Sequence, residues 1–444
     1  MDELEIKVAF SYKIPEKGLT INGILRGLQE DQNTLMRNIV KSILAALEKK
    51  TIKEYISSHP GRYYRHGQQP RRRKFITSFG PIHYRLAQLY DRKTGSVFPP
   101  LVQKLSILPY KQYQREALEA AVGQVIHLSY RVGEKEVRRI KGCAPGKSTL
   151  HRCIKELAED YGQWPCLKHR AFKFLMVDGT KVNRQGPRGQ PLEKAEMRWA
   201  LASEGVKKRF EPVGFWVDKD WRFVRKALEK RLNYEKLEVL FSDGGPGIED
   251  NLLSQGMRPQ RCVWHGKRDF SILLYQDGAK KQEPFHGLMK DILLFSLNKK
   301  VLEEVLPSDK ELVIELVEEI KRGFDKLIKA LDPEKYPKAR TYIKNFSNNA
   351  LLVFDYWLEG KGWIPLTTNA IESAFSRIVN RVKHVGRRWS DEGLLNWLMI
   401  AFRKIYKPAL WGELWRKYLE IHKPLRFFKL RVSYLGQSQD LSLK

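Results

Sequence analysis

Two segments of this chain place an aspartate directly after an apolar run. In FKFLMVDGT, Phe172, Phe174, Leu175, Met176 and Val177 lead to Asp178; in LEVLFSDGG, Leu237, Val239, Leu240 and Phe241 lead to Asp243. A continuous apolar run of this length reads as a buried strand, so each acid is expected at a strand tip. Asp-Gly also favours tight turns, and either dipeptide taken alone reads equally well as turn punctuation. The pair says more than either member. Two carboxylates brought together by neighbouring strands repel each other and need cations to compensate. Hard divalent ions, Mg²⁺ or Mn²⁺, prefer oxygen donors and keep positions open for water and phosphate, so the expected chemistry is that of phosphodiester bonds.

The elements that must position these acids can be read from the same stretch. Strand-like MRWALASEG and FEPVGFWVD and the helical WRFVRKALEKRL lie between the two runs. Two acid-tipped apolar strands separated by antiparallel strands and a helix predict an α/β fold with an RNase H-like, mixed five-stranded sheet and flanking helices. RCVWHGKRDF then sets Cys262 and His265 at the end of a further short strand, and the pattern from about Asp291 to Lys361 is helical and rich in Lys and Glu. In TTNAIESAFSRIVNRVKHVGRRWSDEG, Thr367, Thr368 and Asn369 offer helix caps, and Ile371, Phe375, Ile378 and Val382 form a packed face beside Glu372. A lone glutamate in a first helical turn is ordinarily a solvated partner of the helix dipole.

Upstream, residues from about Ile24 to Ile56 have helical spacing. Phe75-Thr77-Phe79 and Ile82-Tyr84-Leu86 alternate around Gly80-Pro81, which predicts a hairpin. Arg71, Arg72 and Arg73 precede it and suit phosphate contact. Three helical segments with short turns follow, from Tyr113 through STLHRCIKELAEDYG, and are read as a helix-turn-helix. In the last of them Leu150, Ile154 and Leu157 face inward, leaving Lys147, His151, Arg152 and Lys155 on an outward basic face that suits a major groove. Gly146-Lys147-Ser148-Thr149 imitates the end of a phosphate loop. The glycine that loop requires five positions earlier is Lys141, and no buried strand precedes it, so nucleotide hydrolysis is excluded.

Charge points the same way. Lys and Arg number 81 against 51 acids in 444 residues, a formal net charge of +30 spread over the whole length, which implies a polyanionic partner such as nucleic acid. No window is long and apolar enough for a membrane span, and four irregularly spaced cysteines do not form a disulfide framework. A cytoplasmic protein that stays where DNA is found is expected. Arg377, Arg381, Lys383, Arg387 and Arg388 recur at spacings that can line one side of a helix and its continuation, and are assigned to phosphate contacts. Trp264 and Trp389 are candidates for stacking on an unpaired base.

The segments VDGT, SDGG, RCVWHGKRDF and TTNAIESAFSRIVNRVKHVGRRWSDEG, in that order from about Phe172 to Phe402, resemble Mutator-like DDE transposases of prokaryotic insertion sequences. The resemblance implies that Asp178, Asp243 and Glu372 form a catalytic triad holding two divalent ions, and that Cys262 and His265 support the active site. It also implies double-stranded DNA partners, namely terminal inverted repeats and a target, and at least a homodimer on DNA. On this reading the chain divides into an N-terminal helical region (1–60), a basic hairpin region (61–108), a helix-turn-helix region (109–165), a first core part (170–278), an α-helical insertion (279–362), a last core part carrying Glu372 (363–405) and a C-terminal tail (406–444). Two rival readings remain: a domesticated transposase acting as a sequence-specific DNA-binding protein, which predicts a missing carboxylate, and a stand-alone RNase H-like nuclease without strand transfer.

Overall fold

The computed structural model describes residues 17–107, 111–161, 164–184, 194–280, 284–293, 309–384, 389–421, 430–434 and 437–441. The chain forms a mixed α/β protein of two compact units, one comprising residues 1–161 and 400–444 and the other residues 162–399.

In the first unit the N-terminal periodicity becomes a single helix, Ile21–Ser58, capped by the Thr20 hydroxyl, which accepts the Gly23 N–H at 3.1 Å. Strands β1 (Tyr63–Gln68), β2 (Arg73–Thr77), β3 (Gly80–Tyr84), β4 (Ala87–Asp91) and β5 (Ser96–Phe98) follow. The predicted hairpin exists as β2–β3, but its turn is Ser78-Phe79, and Gly80-Pro81 opens the second strand instead of forming the bend. The Thr77 hydroxyl supplies the turn chemistry by accepting the Phe79 N–H and donating to the Gly80 carbonyl. A second sheet, β1-β4-β5, was not foreseen. Buried Glu48 of the long helix ties these strands down, accepting from the Tyr84 hydroxyl and the Ala87 N–H at 2.9 and 2.8 Å.

Helices Arg115–Val125, Tyr130–Lys141 and Lys147–Tyr161 complete this part, the second ending on left-handed Gly142. Leu150, Ile154 and Leu157 are buried as predicted; Lys147, His151 and Arg152 are exposed, and Lys155 is half-buried beside Glu159. A helix, Pro408–Leu419, and a hairpin pairing Leu430–Tyr434 with Gln437–Leu441 belong to the same unit.

The second unit is built on strands β6 (Phe174–Asn183), β7 (Lys194–Ser203), β8 (Glu211–Val217), β9 (Val239–Ser242) and β10 (Arg258–Arg261), ordered β8-β7-β6-β9-β10. β6, β7 and β8 are antiparallel neighbours, while β9 and β10 run parallel to β6. Both faces of the sheet are covered, which explains why its strands read as continuous apolar runs. Leu175, Val177, Ala200, Ala202, Val213 and Leu240 pack with Val224 and Leu228 of the Trp221–Arg231 helix in one core cluster. On the other face Phe174 meets Phe241 and Tyr356 edge-on at 5.6 and 5.8 Å. Among the described residues, the predicted helical insertion contains helices Phe285–Ile292, Lys310–Ala330, Pro337–Asn349 and Leu352–Leu358. Nothing but hydrogen fits on the Cα of Gly266, where a Cβ would lie 2.2 Å from the Phe346 ring; this lets the Val263–Gln276 and Pro337–Asn349 helices pack closely.

Candidate active site

Asp178 is not at a strand tip. β6 continues through Asn183, because its outer half still pairs with β7, Asp178 lying opposite Trp199. Parallel pairing between β6 and β9 ends earlier, at Met176 opposite Phe241. Asp178 and Asp243 each stand two residues beyond that pair. With a side-chain period of two they therefore share the face on which Phe174 meets Phe241, away from the Trp221–Arg231 helix. One oxygen of each carboxylate is held by a nearby backbone N–H, that of Gly179 at 2.7 Å and that of Gly245 at 2.8 Å.

Glu372 comes to this face from the first turn of the Asn369–Val379 helix. The placement of that helix follows from the Cys262-x-x-His265 segment. His265 lies in the first turn of the Val263–Gln276 helix, not at the end of a strand, since β10 stops at Arg261. The Val263 N–H donates to the Leu366 carbonyl at 3.0 Å, and the Thr368 N–H donates to Cys262 Sγ at 3.4 Å. Thr368, read as a cap, turns its hydroxyl to His265 Nδ1 at 3.3 Å, while His265 Nε2 lies 3.8 Å from Glu372 Oε1. Burial pushes the Cys262 thiol up, but hydrogen bonds with His265 and Thr368 outweigh burial and bring it below its ordinary value. Burial likewise pulls His265 down, and the contact with Cys262 more than reverses this. The buried histidine thus leans toward its cationic form beside Glu372.

The three acids line one cavity of about 410 Å³ together with Thr180, Trp199, Trp264, His265, Arg268, Phe375 and Lys383. Burial is the main reason the Asp178 carboxyl is pushed up to about 6, and the charges of Asp243 and Glu372 add to it. Among the described residues no group of three His, Cys, Asp or Glu closes tightly enough to hold a metal ion as it stands. The donor set nevertheless suits a hard divalent cation: its carboxylates supply oxygen ligands, and a cation would offset the burial and the neighbouring charges that raise Asp178.

The basic and aromatic residues separate into two groups. Lys383 donates to the Thr180 hydroxyl at 2.6 Å and lies over the Phe375 ring, inside the cavity. Trp264 is 52% exposed at the cavity rim, with the Arg268 guanidinium 5.1 Å above its ring. Arg377 is exposed on the helix. Arg381 and Trp389 do not belong with them. Arg381 is only 4% exposed and Trp389 6%; the guanidinium lies 4.3 Å from the Trp389 ring, and the indole N–H donates to the Val382 carbonyl. Phosphate contact by the one and base stacking by the other are corrected to core packing. For Arg381 the cause is a π turn at Asn380–His384, which breaks the helical spacing assumed for the basic residues. Arg387 and Arg388 lie outside the described residues. Arg71 and Arg72 are exposed before β2, and Arg73 lies over the Phe75 ring.

Thr180, Trp199 and Arg268 were missed. Trp199 pairs with Asp178 across β6–β7, a register no local pattern announces, whereas Arg268 stands at i+4 from Trp264 on a helix and could have been found by spacing.

No protein-family model matches the chain, and no curated protein matches it. Among solved structures it is similar to a Drosophila P element transposase strand transfer complex, at 12% identity and a TM-score of 0.24, over 72% of this chain and 83% of that one. A likeness of that size fixes neither fold nor activity.

Proposed function

We propose that the chain is a DDE-type DNA transposase, of the Mutator-like kind found in prokaryotic insertion sequences, with Asp178, Asp243 and Glu372 as its catalytic residues. One observation carries the reading: both aspartates stand two residues past the Met176–Phe241 pair on one sheet face, and Glu372 lines the same cavity. The order β8-β7-β6-β9-β10, with three antiparallel strands and two parallel to the central one, supports an RNase H-like core.

On this reading the three carboxylates would hold two Mg²⁺ or Mn²⁺ ions, which when bound stabilise the entering and leaving oxygens of an in-line displacement. His265 holds Glu372 in place, and Cys262 holds the segment that leads to it. Arg268 and Lys383 supply positive charge for the scissile phosphate, and Trp264 presents an aromatic face to a base beside it. Hydrolysis at the element end frees a 3′ hydroxyl, which then attacks target DNA; no covalent protein–DNA intermediate forms. The exposed Lys147, His151 and Arg152 face, with Lys155, serves the terminal repeats, with Arg71, Arg72, Arg73 and Arg377 as further phosphate contacts. Two ends must be paired, so the working form is at least a homodimer on DNA.

The test is cleavage and joining of element ends by the purified protein with Mg²⁺. Glu372→Gln is expected to bind DNA but neither nick nor join it. Normal cleavage by that variant removes Glu372 from the site, and a covalent adduct on a denaturing gel replaces the mechanism altogether.

A further inference from the structure

A second cavity, of about 390 Å³, opens on the Gly244–Gly247 segment that directly follows Asp243. Its other walls are Glu249, Asp250 and Arg261, and Asn345, Asn348 and Asn349 of the Pro337–Asn349 helix. The three asparagines, at i, i+3 and i+4, share one helix face. Its size is within the range of small-ligand sites.

The hydrogen bonding decides what the cavity can take. Gly244 and Gly247 are left-handed, at φ +79° and +73°, and shape a tight loop, yet this loop is no phosphate cradle. The Gly244 N–H is used by the Ser242 hydroxyl and the Gly245 N–H by the Asp243 carboxylate. Arg261 is neutralised by Glu249 at 2.7 Å, and the other Glu249 oxygen accepts from Asn349 Nδ2 at 3.0 Å. What remains is uncharged or acidic. The side chains of Asn345, Asn348 and Asp250 make no hydrogen bond or ion pair among the described residues. Two primary amides and a carboxylate offer donors and acceptors together and repel a phosphate. They match a nucleobase edge that presents an exocyclic amine next to a ring nitrogen, as adenine and cytosine do; asparagine pairs with the first and acidic side chains accept from the amine of the second.

We propose that this cavity binds an unpaired adenine or cytosine of the DNA strand running past Asp243, and so gives the enzyme a base preference next to the cut. The proposal rests on the DNA-processing reading of the neighbouring site. Base recognition in a pocket of this kind requires the nucleotide to be out of the stack.

The experiment measures binding of the full-length protein to the single-stranded dodecamers dC12 and dT12 by fluorescence anisotropy at fixed salt. The two oligonucleotides share charge and sugar and are both pyrimidine, but only cytosine carries the amine. Wild type is expected to prefer dC12 by roughly five- to tenfold, the low end of what one well-made base contact discriminates. Asp250→Asn, which replaces an acceptor-only carboxylate with an amide that pairs with cytosine and thymine alike, is expected to lose that preference while keeping the charge-driven affinity for dT12. Equal affinity of wild type for the two, or a preference that survives in the Asp250 variant, overturns the proposal. Asp250 is exposed and asparagine has nearly the same size and shape, so the fold is expected to persist, and retained dT12 binding checks it. Mg²⁺-dependent cleavage by wild type against Asp178→Asn tests the catalytic reading separately, since the base preference does not require Asp178.

Discussion

The two cavities that meet at the Asp243–Gly247 loop differ in how their charges are settled. On one side Asp178, Asp243 and Glu372 line a cavity together with His265, Arg268 and Lys383, and Asp178 is raised to about 6. On the other, Glu249 is matched oxygen for oxygen by Arg261 and Asn349. On the proposed reading the first arrangement takes a cation and serves catalysis, whereas in the second Glu249 is satisfied within the protein and Asn345, Asn348 and Asp250 are left for recognition. Carboxylate-to-amide substitutions on the two sides should therefore have different consequences for activity and opposite ones for stability.

The largest expected effect is on activity. Asp178→Asn, Asp243→Asn or Glu372→Gln should lower Mg²⁺-dependent cleavage on the order of a thousandfold, the equivalent of roughly 4 kcal/mol of transition-state stabilisation, with DNA binding retained. A loss below tenfold in a steady-state cleavage assay would show that the acidic cavity is not where the bond breaks.

His265 comes next, because it reaches Glu372 and Thr368 and, as a positioning residue, needs no contact with DNA. His265→Ala should reduce cleavage by roughly tenfold to a hundredfold, the usual cost of removing a group that orients a metal ligand, and should raise the Mg²⁺ concentration at half-maximal rate. An unchanged Mg²⁺ requirement would assign the histidine to packing alone.

Part of the acidic cavity was legible in the sequence. Apolar runs announce β6 and β9, and the acids after them, because a sheet buried on both faces leaves no alternation. What lay beyond local pattern is specific. The five residues after Asp178 look like loop in GTKVN, and only pairing with β7 keeps them extended. Glu372 carries no signal of its own; its place depends on Thr368 being held by Cys262 and His265, more than a hundred residues earlier. Arg381 was assigned outward because helical spacing was extended across a π turn, and Trp389 was read for stacking on its residue type alone. The second cavity joins a glycine loop to an asparagine-bearing helix about a hundred residues downstream, a meeting that charge and periodicity do not predict.

Stability separates the two sides further. Arg261 and Glu249 are both largely buried, and breaking a buried pair leaves a charge uncompensated. Glu249→Gln keeps the shape but turns one acceptor oxygen into an NH2 that faces a donor and removes the charge facing Arg261, and should destabilise the protein by roughly 1–3 kcal/mol in urea unfolding. A neutral outcome would mean that solvent already screens this pair.

The smallest effect has the opposite sign. In the cation-free protein the Asp178 carboxyl titrates near 6 instead of its ordinary 3.8. Above pH 6 the native state carries an unfavourable buried charge that the unfolded chain does not feel. Between pH 6 and about 4 the native carboxyl takes up a proton while the unfolded one stays ionised, so this contribution to stability rises as pH falls through that window. Below it the two states are protonated alike. The full shift corresponds to about 3 kcal/mol, and partial solvent access reduces it to roughly 1–2 kcal/mol. Asp178→Asn, which cannot ionise, should therefore melt higher than wild type at pH 8 without divalent ions, and its advantage should shrink steadily toward pH 4.5. Mg²⁺ at pH 8 should close the gap by raising the melting temperature of wild type and not that of the variant. A variant less stable than wild type at pH 8 would mean that Asp178 is already compensated by its protein neighbours, and the distinction between the two cavities would disappear.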